Sequence, residues 1–100
     1  MSLDSTMDKV LDRRRDVEDK LAQSADLTPP ELANLSRELS DLRPVCDQIE
    51  LVQRMVSELA DAKAMLEDAG DDAEMAEMAK MEVDDLSGRL PEAEAQLQLL

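Results

Sequence analysis

The chain has 100 residues, 25 acidic against 11 basic for a formal net charge of −14, and contains no Phe, Tyr, Trp or His. That balance repels nucleic-acid backbones and anionic membrane surfaces, and without aromatics there is no platform on which bases could stack. The lack of His removes the usual general base near neutral pH and the commonest metal ligand, so no enzyme site can be assembled convincingly.

The length suits one small domain, residues 1–100. Its interior must come from Leu, Met, Val, Ile and Ala, and with two Gly and four Pro the composition favours helix over sheet. Cys46 is the only cysteine, so no internal disulfide can form, and a lone thiol suits a reducing cytoplasm. No apolar run approaches the roughly 20 residues of a membrane span.

The first helical stretch carries Leu3, Met7, Val10, Arg14, Val17 and Leu21 at alternating steps of four and three, a heptad stripe interrupted once by a charge. Arg14 holds a seam position and is expected to lay its stem across a neighbouring helix. Arg13 to Arg15 form the only basic cluster, but successive helical residues point about 100° apart. They read as a solvated face with local ion pairs rather than a phosphate patch. The stripe fades after Leu21 into small and polar residues.

"TPPE" opens the second stretch. Thr28 at the N-cap and Glu31 three residues on form a capping box, and Pro29 sits at the first helical position, where its missing N–H costs nothing. Leu32, Leu35, Leu39, Leu42, Cys46, Ile49, Val52, Val56, Leu59 and Leu66 continue an apolar seam to about Asp68, roughly 60 Å of helix. Pro44 removes the bond to the Ser40 carbonyl, so a kink is expected there. The seam keeps its phase across it, which favours one kinked helix over two. Cys46 lies on the seam and reads as a buried, inert thiol.

"EDAGDDAE" is the second connection, with Gly70 at a C′ position and Asp71 capping a third helix with Glu74 as its reciprocal partner. Ala76, Ala79, Val83, Leu86, Leu90, Ala93, Leu97 and Leu100 form its stripe. The flanking Met75, Met78 and Met81 read as fillers of core gaps rather than a binding surface. Gly88 and Pro91 mark an expected bend. The fold expected is all-α: an elongated antiparallel three-helix module of coiled-coil character with a long kinked central helix.

Glu67, Asp68, Asp71, Asp72 and Glu74 cluster at the second connection. An EF-hand calcium loop needs alternating carboxylates, then Gly and a later bidentate Glu; here Gly70 precedes most of the acids and the alternation fails. Acids at a helix start complement its dipole, which accounts for the cluster without a metal. No metal or cofactor is expected.

Four stretches taken together, "LSRELSDLRPV" (35–45), "DAKAMLED" (61–68), "EMAEMAKMEVDDL" (74–86) and "EAEAQLQLL" (92–100), resemble the N-terminal domain of bacterial peptide chain release factors. "EMAEMAK" and the terminal leucines are closer to the release factor 1 branch than to release factor 2. The resemblance implies a cytoplasmic translation termination factor that enters the ribosomal A site at UAA or UAG and triggers hydrolysis of peptidyl-tRNA. It also implies that the Gly-Gly-Gln and codon-reading loops lie in other domains, since neither motif is present in these residues. No catalytic residue carries across.

By the same resemblance the domain faces the stalk base of the large ribosomal subunit. It also helps dock the methyltransferase that modifies the Gly-Gly-Gln glutamine. The domain would be largely monomeric and would not itself grip RNA. The acidic cluster is then the candidate contact surface. "EAQLQLL" reads as a helix whose seam is still running, as expected at a domain edge before a linker. A coiled-coil adaptor and an acidic calcium-binding protein are the competing readings.

Overall fold

The structure, a computed structural model, describes residues 3–100. Of Leu3 only the backbone is described, so its seam position lies outside the described side chains. Three α-helices follow in order: α1 (Leu3–Ala22), α2 (Pro29–Asp68) and α3 (Ala73–Gln98). A short 3-10 turn, Ser24–Asp26, joins the first two. Among the described residues there is no strand, and the all-α expectation holds.

Packing divides the chain into two compact units, Met1–Ile49 and Glu50–Leu100, with the division inside α2. Unit 1 is an antiparallel hairpin of α1 and the first half of α2. Arg13 meets Glu38, and Lys20, nearer the turn, faces Glu31 across a shared hollow. Met7 and Val17 are the buried members of the α1 stripe, with Val17 fully enclosed. Arg14 is a quarter exposed and its guanidinium lies 3.7 Å from Glu18, so the charged seam residue stays paired at the margin.

The start of α2 is built as the capping box requires. The Glu31 N–H donates to Thr28 Oγ1 at 3.3 Å, and the Thr28 N–H donates to Glu31 Oε1 at 3.1 Å. The Thr28 hydroxyl also donates to the same carboxylate oxygen at 2.8 Å. These bonds hold the Glu31 carboxyl below its ordinary range, the Thr28 side chain contributing most and its backbone N–H next.

Across the hairpin Arg13 grips Glu38 with two guanidinium nitrogens, Nη2 donating to Oε1 at 2.7 Å and Nε to Oε2. Arg13 also donates to Asp16 at 3.0 Å, and Lys20 lies 3.3 Å from the same carboxylate. The hydrogen bond from Arg13 lowers the Glu38 pKa and raises that of Arg13 itself. The arginine run is thus an ion-paired face, as expected, with one cross-helix clasp that local spacing did not reveal.

Both glutamates have folded values below their unfolded ones, so their stabilisation is present above the ordinary glutamate range. It is lost as pH falls through the lowered values. Chemical denaturation should therefore show the chain weakening on acidification below pH ~4. Thr28→Ala should lower stability by about 1 kcal/mol at neutral pH and should shrink that acid-side loss, because Glu31 then has no hydroxyl to meet.

α2 runs unbroken through Pro44, and α3 runs unbroken through Gly88 and Pro91. Each proline leaves one carbonyl of the preceding turn without its helical donor, at Ser40 and Ser87. Both serines are exposed, so water can bond those carbonyls and the helices continue.

Unit 2 is a second antiparallel hairpin. Only four residues join α2 to α3, and Glu58 and Met65 of α2 line one hollow with Met78 and Glu82 of α3, so the chain runs back along itself. Ala79, Leu86 and Ala93 are its buried positions on α3, as the stripe predicts. The α2 side differs from expectation. Beyond Val52 the buried positions are Met55, Ala62 and Ala69, whereas Val56 is 50% exposed and Leu66 37%. After Val52 the seam steps by three rather than four, then repeats every seven residues. At the far end Leu97 is half-buried and Leu100 exposed, so the α3 seam closes one turn earlier than its spacing predicts. Among the described residues no polar side chain is buried.

Candidate functional site

The turn between α2 and α3 occupies four residues. Ala69 is buried at its base, and Gly70 adopts a left-handed φ of 54°. Nothing would touch a Cβ at Gly70, so the demand for glycine is conformational rather than steric. The Asp72 N–H donates to the Ala69 carbonyl at 2.8 Å and tightens the reversal.

The cap differs from the expected one. Asp72, not Asp71, is the N-cap of α3: its Oδ1 accepts from the Met75 N–H at 3.1 Å, and its carbonyl accepts from Ala76 at 3.0 Å. Gly70 and Asp71 together complete the turn, which moves the helix start one residue later. Glu74 consequently falls in the first turn of α3, where a carboxylate favours the helix dipole, and no bond from it to the cap is present in that geometry.

All five candidate contact residues, Glu67, Asp68, Asp71, Asp72 and Glu74, are exposed. Asp68 closes α2, Asp71 sits in the turn, and Asp72 and Glu74 open α3, so one reversal gathers them. Of these, Asp72 has its acceptor engaged at its own helix start. Among the described residues no group of three or more Asp, Glu, Cys or His side chains is arranged to hold a metal ion. Cys46 is buried on α2. Among the described residues no helix is long and apolar enough to cross a membrane.

Next to this turn lies a feature that spacing read in the opposite sense. Met75, Met78 and Met81 are exposed, at 40%, 70% and 67%, and Met65 on α2 is 47% exposed. They do not fill the core. The buried stripe of α3 runs through Ala79 and Leu86, and Met75 and Met78 stand one residue before stripe positions, which turns them onto the flank of the hairpin. Met65, Met75 and Met78 line a hollow shared with Asp72 and Glu74. Their place next to, rather than on, the stripe was the signal available in the sequence.

Comparison with known proteins is consistent with the earlier resemblance. A family model described as the PCRF domain matches residues 10–100. Peptide chain release factor 1 of Roseobacter denitrificans is 40% identical over 94 residues, covering 89% of this chain and 26% of that protein. The Caulobacter vibrioides release factor 1 is 36% identical over 94% of this chain and 25% of its own length. That of Gluconobacter oxydans is 31% identical over 99% of this chain and 27% of its own length. The chain thus spans about a quarter of the length of the curated relatives it matches. No solved structure matches it. With the match running through both hairpins and the acidic turn, the chain belongs to the PCRF domain family and is similar to the N-terminal helical domain of release factor 1.

Proposed function

We propose that this chain is the N-terminal helical domain of a cytoplasmic translation termination factor that directs peptide release at UAA and UAG, and that it docks the factor rather than catalysing release. The observation that carries the reading is the family match over residues 10–100, together with relatives whose name is peptide chain release factor 1. The residue chemistry agrees with a docking role, since the chain offers no His and its one thiol is buried. Its partners are the large-subunit stalk base of the ribosome and the methyltransferase that modifies the Gly-Gly-Gln glutamine. The acidic reversal at Glu67, Asp68, Asp71, Asp72 and Glu74 is the contact surface, acting on basic protein rather than on RNA. The chain works as one largely monomeric domain.

The test neutralises all five residues in a factor that carries this chain at its N-terminus: Glu67→Gln, Asp68→Asn, Asp71→Asn, Asp72→Asn and Glu74→Gln. Asn caps a helix as well as Asp does, so α3 keeps its start. Docking predicts a higher KM for stop-codon ribosome complexes and slower methylation, with kcat unchanged. The effect should shrink as salt is raised. Unchanged KM and methylation, or a fall in kcat alone, would overturn the reading. Stable self-association in sedimentation would favour the adaptor alternative instead.

A further inference from the structure

A second hollow in unit 2, of about 310 Å³, lies between α2 and α3 further from the turn. Its floor is Ala62 and Ala79, both buried, and their small side chains leave a trough between the helices. Met65 and Met78 stand on either side, both exposed, and continue into the hollow beside the turn. Glu58 and Asp61 from α2 and Glu82 from α3 form the rim. No Lys or Arg is among the described residues that line either hollow.

We propose that this trough is the docking site for a basic amphipathic helix of a partner protein. Two antiparallel helices with a small-residue floor present the groove into which a third helix packs by ridges and holes. Exposed methionines suit such an occupant because the flexible, polarisable thioether adapts to the side chains that enter. The carboxylates on both walls fix the sign of the partner, and its apolar face would seat between Met65 and Met78 while its Lys or Arg residues meet Glu58, Asp61 and Glu82. A second copy of this chain, at −14, carries the wrong charge, and so does a nucleic acid. The inference stands apart from the termination reading, since binding is measured on the chain itself.

The probe is a synthetic helical peptide with Leu on one face and Lys on the other, compared with its Leu/Glu counterpart. With methyl-labelled methionine, the Lys peptide should shift the resonances of Met65 and Met78 and leave those of Met7 and Met55 in place, both of which are buried. The double variant Met65→Gln, Met78→Gln keeps every charge and alters only exposed positions, so its melting should match the parent. It should bind the Lys peptide at least ~10-fold more weakly, as expected when two methionines no longer bury apolar surface.

Equal binding by that variant would reduce the attraction to bulk charge and overturn the proposal. So would equal binding of the Leu/Glu peptide, no binding of the Lys peptide, or shifts confined to other methionines. Sedimentation showing that a second copy already covers Met65 and Met78 would overturn it as well. A failed release assay with an intact peptide response would sink the termination reading alone.

Discussion

Val17→Asp should leave the chain largely unfolded at neutral pH, seen as loss of the helical far-UV circular dichroism signal. Val17 is fully buried in unit 1, and among the described residues no buried polar side chain could receive a carboxylate. A charge placed there must either lose its hydration without a partner or force the hairpin open. The cost of an uncompensated buried charge is comparable with the ~5–15 kcal/mol that holds a typical domain together. Val17→Ala separates charge from volume. It should cost about 2 kcal/mol, the burial of two methyl groups plus the cavity they leave, and should shift the melting temperature without abolishing the fold. If the aspartate variant melts like the alanine one, Val17 is not enclosed as described.

Leu86→Ala in α3 should lower stability by about 2–5 kcal/mol, measured by urea denaturation with an unchanged m-value. Leu86 is 1% exposed and is one of the largest side chains in unit 2's core, so truncation removes transfer energy and leaves a void that rigid helices refill poorly. Met78→Ala is the matched comparison eight residues away on the same helix. With that side chain 70% exposed, the change should stay within about 0.5 kcal/mol. Losses of similar size at the two positions would mean that Met78 belongs to the core after all.

Much of the fold could be read from local chemistry. Thr28 and Glu31 announced the start of α2 because a capping box is closed by residues three apart, and no distant contact is needed to complete it. Asp68 and Gly70 marked its end for the same reason. The misreadings arose where neighbours compete for one role. Asp71 and Asp72 are equally good caps, and only the number of residues spent in the turn decides between them. Met55 and Val56 are both apolar, and the choice between a step of three and a step of four depends on what α3 presents opposite.

The acidic reversal was legible for a similar reason, since five carboxylates within eight residues must share one turn. The methionine trough was not. It exists because Ala62 and Ala79 oppose each other, and that register joins residues seventeen apart in sequence on two different helices. The Arg13–Glu38 clasp was hidden in the same way, joining residues 25 apart.

Both hairpins turn within a handful of residues, from Ala22 to Pro29 and from Asp68 to Ala73. The core contacts beside each turn are therefore made by residues that the chain keeps near one another from the outset, and those at the open end of each hairpin follow as its helices align. Closing such short loops takes little entropy, and proteins rich in sequence-local contacts fold in microseconds to milliseconds. The Gly70 reversal is then more than a corner in the finished structure. It is the point from which α2 and α3 can zip together, pair by pair from Ala69 outward, before distant parts of the chain have found their places.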